Sequence, residues 1–506
     1  MGYRITADGE PAARGGAPTE VEPPSAFTLA QRGSTLRDTM RFFAIGLLGL
    51  GVLASSCDTE DTAESGATAG VTGAGGAGAA GSTGTVGGGT GTGGMGAGGG
   101  GGIGGGVAPG CDPLPPATGA VIEVGPAQVA ELQGIVGNAV TGDTILLEDG
   151  TYDLNGAYLQ FTTPGVTLRS KSGNREMVIL DGGYASAEIA AVGASDVTIA
   201  DITLARAFNH PIHVSPAGDA DITNTLIYNV HVIDPGQQAI KINSNGSPLR
   251  YSDNGVVACS RIELTDAGRP QVTDCYTGGI DAHRAQGWRI HDNTIEGFWC
   301  DAGLSEHGIH LWTGSRDTLI ERNVLIDNAR GIGLGLGDAT DGRTYGDGPC
   351  VGVPNIGHYG GMIRNNAVFV GDAALFASQF GFDVGISLEQ ACETSVLHNT
   401  VVSTQAPYSS IEWRFGNTTA TLTNNLVSHN LRERDGATGT LAGNLEDAPL
   451  TLFVDAPSGD LHLAAGAAQA IDQGTPVPAG LVDDDIDGEP RDDAPDIGAD
   501  EWIPGP

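Results

Sequence analysis

The sequence is poor in aromatic residues and in lysine. Aromatic side chains make up 5% of the 506 residues, and the lysines are Lys171 and Lys241. Acidic residues outnumber basic ones by 61 to 24, which gives a formal net charge of −37. Such a charge argues against a nucleic-acid partner and against a basic membrane-binding face. An acidic sugar polymer is not excluded, because a binding groove can be locally basic.

The chain also lacks an apolar run of the roughly 20 residues that a membrane-spanning helix needs. Its main apolar run, at 42–54, is too short and has the length of a signal h-region. Arg37 and Arg41 flank this run, and the sequence LASSC ends at Cys57. The segment resembles a bacterial lipoprotein signal, which implies an exported protein anchored to the cell membrane by a lipid on Cys57. A cleaved signal without lipid and an uncleaved anchor are the alternatives.

The compact n-region of such a signal begins at Met40, so we expect translation to start there. Residues 1–39 are then a non-native extension, and residues 40–57 are the signal. Residues 58–110 consist almost entirely of Gly, Ala, Thr and Ser. They cannot bury enough apolar surface to offset their conformational entropy, so we predict a disordered tether. It would hold the folded domain tens of ångströms from the membrane.

Cysteine is scarce, and no C-x-x-C pair is present, so we expect no cysteine-ligated zinc site. Six cysteines remain besides Cys57, which allows up to three disulfides among fifteen pairings in an exported chain. The pairs that we favour are Cys259 with Cys275 and Cys300 with Cys350. The alternative is that these residues are buried thiols.

A repeated phrase dominates the second half of the chain. Each copy has an aliphatic residue three positions before an Asn and another two positions after it; these residues are Asn293, Asn323, Asn366, Asn399 and Asn425. The shortest intervals are near two dozen residues, which is typical of a solenoid with loop insertions. An Asn at the same bend of every coil can hydrogen-bond its counterparts above and below.

A second phrase lies between the copies of the first. It begins equivalent predicted strands at Ile212, Ile240, Ile280, Ile309, Ile332, Ile386 and Ile411. Together the two phrases resemble the right-handed parallel β-helix of the pectate-lyase-like superfamily over residues 120–455. We therefore predict an all-β fold, with a β-helix of about ten coils over residues 120–455 in a domain that spans 111–455. The helical spacing of Val129, Leu132, Ile135 and Val136 predicts a short helix that caps the first coil.

Alternation along these strands places two columns of side chains on the outer face of one sheet. The first column contains His213, Lys241, Asp281, His310, Gly333, Ser387 and Glu412. The second contains Ser215, Asn243, His283, Trp312, Gly335, Glu389 and Arg414. We expect an exposed patch on three adjacent coils, walled by insertions after Asn243 and Gly337, with the glycines leaving a bare groove floor.

Within this patch we predict catalytic roles for Lys241, Asp281, His283 and His310. Predicted substrate-binding residues are Asn243, Arg284, Trp312, Arg316, Glu389, Glu412 and Arg414. Removing the C5 proton of a uronate needs a cation against the carboxylate and a base near the proton. Lys241, Arg284 or Arg316 offers the cation, and His283 or Lys241 the base. A polar surface with no function is the alternative interpretation.

The strand containing Asp281 and His283 also resembles the Asp-Pro-His-Asp motif of mannuronan C5-epimerases. Ala282 replaces the Pro and Arg284 the final Asp. The resemblances imply a polysaccharide partner and either β-elimination or C5-epimerisation. A glycoside hydrolase ranks lower because Asp281 is the only carboxylate in the clustered coils, whereas Glu389 and Glu412 lie further along the stack. A non-catalytic glycan-binding lipoprotein is a further alternative. We expect a monomer without a cofactor.

The C-terminal segment, 456–506, is rich in aspartate. Asp483, Asp485 and Asp487 resemble the start of a calcium loop, but Ala494 stands where such a loop has Glu. The segment also resembles the closing part of exported bacterial β-helix proteins. We prefer a structural cap in which Arg491 pairs with Asp496 over a calcium site.

Overall fold

The structure is a computed structural model that describes residues 111–336, 341–353 and 355–504. It is a right-handed parallel β-helix, as the sequence predicts: successive strands enter three stacked parallel sheets in turn. The predicted signal, the tether and Cys57 lie outside the described residues. Within those residues, no helix is long and apolar enough to cross a membrane.

The first sheet has 12 strands, in stack order Val121–Val124, Thr144–Leu147, Thr167–Ser170, Thr198–Ala200, Leu226–Tyr228, Val256–Ala258, Arg289–His291, Leu319–Glu321, Met362–Arg364, Thr394–Leu397, Thr419–Thr423 and Thr438–Ala442. The second has 10 strands: Gly150–Asp153, Val178–Asp181, Thr203–Ala205, His231–Ile233, Arg261–Glu263, Thr294–Glu296, Val324–Ile326, Ala367–Val370, Thr400–Ser403 and Leu426–Val427. The third also has 10: Leu159–Phe161, Glu188–Val192, His210–Val214, Gln238–Ile242, Gly278–His283, Ile309–Trp312, Arg330–Leu334, Val384–Glu389, Ser409–Arg414 and Leu431–Arg434.

Short elements lie between these strands and after them. Small parallel pairings join Ile222–Thr223 with Ser252–Asp253, and Ser315–Arg316 with His358–Tyr359 and Ala391–Cys392. An antiparallel pair follows the stack, Phe453–Asp455 with Asp460–Leu463. The helices are Val129–Asn138 and Ala373–Ala377, and the 3-10 turns are Pro126–Gln128, Arg175–Met177, Arg269–Gln271, Leu450–Leu452 and Ala456–Ser458.

The helix Val129–Asn138 caps the first coil, as predicted. Leu132 and Val136 are buried against the interior of the stack, because their spacing places them on one face of the helix. The predicted strand register is also confirmed. Each of the seven isoleucines pairs with the next in the third sheet, so all stack in the core.

The bend between the first and second sheets has a constant construction. One residue adopts the left-handed conformation, such as Asp292, Arg322 or His398, with φ between 51° and 56°. The predicted Asn follows it and is buried. Each Asn amide donates to the next Asn Oδ1 along the stack, at 2.9–3.0 Å. The ladder is therefore confirmed, and Asn444 extends it by one rung at 2.9 Å.

The favoured disulfide pairings are wrong. The bonds are Cys111–Cys259, Cys275–Cys300 and Cys350–Cys392. The expected pairs, Cys259 with Cys275 and Cys300 with Cys350, joined neighbours in the sequence. In the folded chain the N-terminal segment runs beside Cys259 instead, and insertions bring the remaining cysteines together. Because all six of these cysteines are in disulfides, the alternative that they are buried thiols is wrong as well.

The C-terminal segment differs from the predicted seal of the last coil. It runs back along the stack: Arg322 contacts Asp484 at 2.8 Å, and Thr400 accepts from the Ala499 amide at 2.9 Å. Arg491 pairs with Glu501 at 2.9 Å rather than with Asp496, whose carboxylate accepts main-chain amides. The segment thus covers the outside of the second sheet, where Phe369, Val402 and Leu426 pack against its apolar residues.

The three aspartates of the calcium candidate have separate partners. Asp485 is buried and accepts the amides of Asp487, Glu489 and Glu501. Asp483 accepts the amide of Gly480, and Asp487 contacts His462. The Asp485 carboxylate therefore stabilises the loop by accepting hydrogen bonds from main-chain amides.

Candidate functional site

The first predicted column lies in register on the third sheet. His213, Lys241, Asp281 and His310 occupy paired positions on successive strands. The expectation of an exposed patch is nevertheless wrong, since Lys241 is 5% exposed, Asp281 2% and His310 0%. These side chains point away from the interior of the stack, but insertions cover them.

The covering groups come from loops between strands. Tyr276, in the loop before Gly278–His283, lies over Lys241 with its hydroxyl 3.1 Å from Nζ. Glu306 and His307, in the loop before Ile309–Trp312, lie over His310. The predicted groove floor at Gly333 is filled, because a Cβ there would lie 2.7 Å from the His307 ring. Gly335 is equally closed, since its Cβ would lie 1.9 Å from the Glu389 carbonyl oxygen.

Lys241 is the centre of the cluster. Its ammonium forms an ion pair with Asp281 and donates to Tyr276 Oη at 3.1 Å and to His283 Nε2 at 3.0 Å. A lysine ammonium has three donors and no acceptor, so these three contacts match its capacity. His283 Nε2 also lies 3.3 Å from Asp281 Oδ2, and the shorter contact with Lys241 favours Nε2 as an acceptor. The proton of the neutral imidazole is then on Nδ1, 3.4 Å from Thr313 Oγ1.

The pKa shifts support these charge states. Burial opposes the charge on Lys241, but Asp281 and Tyr276 outweigh it and raise the Lys241 pKa. Burial likewise opposes ionisation of Asp281, but the Lys241 charge outweighs it, so the Asp281 pKa is well below the usual range. Burial is the main cause of the lowered His283 pKa, and the Lys241 charge adds to it. The site thus holds a charged lysine and carboxylate beside a neutral imidazole.

Trp312 is bound into the same cluster. Its Nε1 donates to Asp281 Oδ1 at 2.8 Å. Its ring is stacked on His310 at a centroid distance of 5.3 Å and tilted against His283 at 4.4 Å. Trp312 and His283 are both half-buried, and Tyr276 is 38% exposed. These three side chains form the accessible edge of the site.

A second group of side chains adjoins this edge. His310 Nδ1 lies 3.2 Å from Glu306 Oε2, and its Nε2 donates to the Gly335 carbonyl at 3.0 Å. His307 Nε2 lies 2.9 Å from Ser387 Oγ. Burial opposes protonation of His310, but Glu306 and Asp281 raise its pKa; burial and the His310 charge hold the pKa of His307 well below its usual value.

The two predicted walls meet at Arg284. Its guanidinium donates to Ser244 Oγ at 3.3 Å, in the insertion that follows Asn243. It also donates to the Asp341 carbonyl at 3.1 Å, in the insertion that follows Gly337. Residues 337–340 lie outside the described part of the chain. The Asn243 amide is 3.1 Å from His213 Nε2. Arg284 and Asn243 therefore border the site.

The other predicted binding residues lie away from this cluster. Arg316 forms two 2.8 Å contacts with Asp347, which anchors the insertion that carries that aspartate. Glu412 accepts from Arg434 at 3.0 Å, and Arg414 donates to Asp435 at 3.0 Å. Glu389 is buried, which raises its pKa. The sheet does not bring these four residues together with Lys241.

Sequence reasoning missed Tyr276, Glu306 and His307. All three precede third-sheet strands within a few positions, in loops that the two-residue alternation does not reach. Glu306, His307 and His310 nevertheless form a compact E-H-x-x-H group in the sequence, and their spacing was the available signal.

No family model matches the chain, and no curated protein matches its sequence. Solved structures that it resembles include pectate lyase Pel9A, at 15% identity and a TM-score of 0.49, over 78% of this chain and 98% of that one. An alginate lyase from Paenibacillus sp. str. FPU-7 has 16% identity and a TM-score of 0.44, over 64% and 97%. The A-module of mannuronan C-5 epimerase AlgE4 from Azotobacter vinelandii has 12% identity and a TM-score of 0.33, over 63% and 93%. Likenesses this weak assign no activity.

Proposed function

We propose that this β-helix protein acts on polysaccharide, and that its ligand is an acidic, uronate-containing glycan. The observation that carries the proposal is the contact set of Lys241. A fixed cation lies 3.0 Å from the Nε2 of a neutral imidazole and 3.1 Å from a phenol hydroxyl. These are the group types that proton removal beside a carboxylate needs.

The proposed reaction begins when the glycan carboxylate reaches the edge formed by Tyr276 and His283 and accepts the N–H that Lys241 donates to His283 Nε2 in the free protein. This exchange frees the Nε2 lone pair. His283 Nε2 takes the C5 proton, and the electron pair of the broken C–H bond moves into the carboxylate, which Lys241 neutralises. In β-elimination this pair then forms the C4–C5 double bond while the C4–O bond breaks, and Tyr276 protonates the leaving oxygen. In C5-epimerisation the electron pair at C5 instead takes a proton from solvent water on the opposite face, and the resulting hydroxide takes the proton held by His283.

Asp281 has a supporting role in this scheme. Its carboxylate is already engaged by Lys241 and by Trp312 Nε1 at 2.8 Å, so it orients both groups. An ionised, fully engaged carboxylate is a poor general acid, which keeps glycoside hydrolysis below elimination and epimerisation as an alternative.

A non-catalytic glycan-binding protein is the second candidate. The burial of Lys241 and Asp281, at 5% and 2% exposure, favours it. In that case the ion pair only holds Tyr276 and Trp312 in place, and those rings stack on sugar faces.

The test uses alginate, pectate and glycosaminoglycans with the full chain. Unsaturated uronate is followed by absorbance, and epimerisation by deuterium uptake from solvent at C5. We expect His283→Ala to lower turnover by two or more orders of magnitude while binding persists, since a base acts on the barrier more than on the ground state. The matched control is His291→Ala, on the first sheet, which should leave turnover unchanged.

One result would contradict the role of His283, and another would favour the second candidate function. Turnover that survives His283→Ala contradicts the assignment of the base. Binding without turnover by the unmodified protein, removed by Trp312→Ala, would establish the binding protein instead.

We also propose that the chain is exported. Three disulfides in the described residues support this location, because such bonds persist in oxidising compartments. Attachment of a lipid at Cys57 stays a prediction, as does the monomeric state.

A further inference from the structure

Glu306, His307 and His310 form a compact group of potential metal ligands. Each offers one ligand atom, and the three atoms lie within 4.8 Å of one another. Two ligands at the usual distances from zinc, in tetrahedral geometry, are roughly 3.4 Å apart. The 3.2 Å between Glu306 Oε2 and His310 Nδ1 is close to this value.

In His307 and in His310 the Nε2 atom is hydrogen-bonded to an oxygen, so Nδ1 is the nitrogen available to a metal. His310 Nε2 faces the Gly335 carbonyl, which can only accept, so Nε2 carries a proton and Nδ1 faces Glu306. His307 Nε2 contacts Ser387 Oγ at 2.9 Å. Metal-binding histidines almost always donate their second ring N–H to such an oxygen, which fixes the tautomer and the ring orientation.

His307 Nδ1 supplies the independent observation. His307 is 1% exposed, and its Nδ1 has no hydrogen-bond partner in the described part of the protein. A buried polar nitrogen without a partner costs free energy, and a cation beside it removes that cost. Gly333 leaves room for the His307 ring, because any Cβ at this position would lie 2.7 Å from the ring.

We propose that Glu306, His307 and His310 bind a divalent transition-metal ion, zinc by the character of the ligands. Two imidazoles and one carboxylate match the ligand set of zinc sites that keep a position open for water or substrate. The Glu306 side chain is 23% exposed, which provides an entry path. The site does not depend on the proposed glycan activity.

The test measures zinc without any glycan. The protein is dialysed against zinc and then against buffer with a weak chelator, and bound metal is determined by mass spectrometry. We expect about one zinc ion per chain, a higher unfolding temperature with zinc, and absorption bands of tetrahedral cobalt after substitution. Glu306→Gln keeps the size of the side chain and an acceptor for His310, so it should fold and lose the metal. His307→Gln should also lose it.

His429→Gln is the matched control. His429 is half-buried, its Nδ1 lies 2.9 Å from Ser428 Oγ and 3.4 Å from Ser403 Oγ, and among the described residues it belongs to no cluster of potential metal ligands. This variant should keep the wild-type zinc content. His462 is unsuitable as a control, because it forms such a cluster with Asp487 and Asp500. The proposal is overturned if the wild-type protein retains no zinc, or if Glu306→Gln retains as much as wild type. In either case the group is an internal Glu306–His310 ion pair.

Discussion

At the scale of single residues, Lys241 and Asp281 form an ion pair that water hardly reaches. Removing one partner of such a pair leaves a buried charge uncompensated, which typically costs about 3–5 kcal/mol. We therefore expect Lys241→Met to lower the free energy of unfolding by about that amount. The double variant with Asp281→Asn should be less destabilised than Lys241→Met alone, because no charge remains.

Urea unfolding of the two variants and of the wild-type protein measures this difference. If Lys241→Met unfolds within about 1 kcal/mol of wild type, water solvates the Asp281 carboxylate and the pair is a surface pair.

His398 is one of several buried histidines that make the stability depend on pH; burial also lowers the pKa of His210 to about 4 and that of His358 to about 3. Burial lowers the pKa of His398 to about 3, and its Nε2 accepts from the Asn424 amide at 2.8 Å. The unfolded imidazole takes up a proton near pH 6.5, so between these values the unfolded state binds more protons. The free energy of unfolding should therefore be unaffected by this group above pH 6.5 and fall as the pH drops toward 3, by up to about 1.4 kcal/mol per unit.

The variant that isolates this effect is His398→Asn. The position has φ of 51°, and Asn365 and Asn424 hold the same conformation in the neighbouring coils, so Asn fits the backbone. We expect a shallower loss of stability between pH 6.5 and 4 than in wild type, measured by thermal unfolding. If the stabilities of the variant and of wild type fall in parallel over this pH range, His398 takes up its proton in the folded protein at the same pH as in the unfolded chain, and the argument is contradicted.

At the scale of elements, the Asn ladder fixes the bend between the first and second sheets. Asn323 accepts from the Asn293 amide and donates to Asn366 Oδ1, both at 2.9 Å. We expect Asn323→Leu to cost about 1–3 kcal/mol, since its stacked neighbours keep buried groups without partners. Asn444 ends the ladder and is only half-buried, so Asn444→Leu should cost less. Equal losses at both positions would contradict this argument, since they would mean that the cost depends neither on burial nor on the number of stacked neighbours.

The repeat made most of the fold predictable. Isoleucine strands and Asn bends recur at the same phase in each coil, so their register follows from period-two alternation and stacking alone. The same alternation placed Lys241, Asp281 and His310 in one column, and the structure agrees.

The environment of that column was not predictable, because it depends on insertions. Tyr276 and His307 belong to loops that occur once each and carry no repeat. The bare coil expected at Gly333 is occupied by the His307 ring for this reason. The disulfides escaped prediction in the same way, since Cys350 and Cys392 meet through a loop and not through the register of the stack.

At the scale of the whole molecule, the charge of −37 opposes the proposed ligand. A uronate polymer is also negative, so it is repelled until it lies close to Lys241. This repulsion extends about 30 Å at 10 mM salt and about 8 Å at 150 mM, which are the corresponding Debye lengths. Salt therefore screens the long-range repulsion more than it weakens the contact with a buried cation.

We accordingly expect the association rate constant for a uronate oligomer to rise between 10 and 150 mM salt, contrary to the usual behaviour of oppositely charged partners. The dissociation rate constant should change much less, because buried pairs are screened less than exposed ones. Stopped-flow fluorescence of the tryptophans measures both rates, and a neutral oligosaccharide of equal length is the control ligand. Slower association at higher salt would contradict the argument, since it would mean that the path to Lys241 is locally positive despite the charge of the chain.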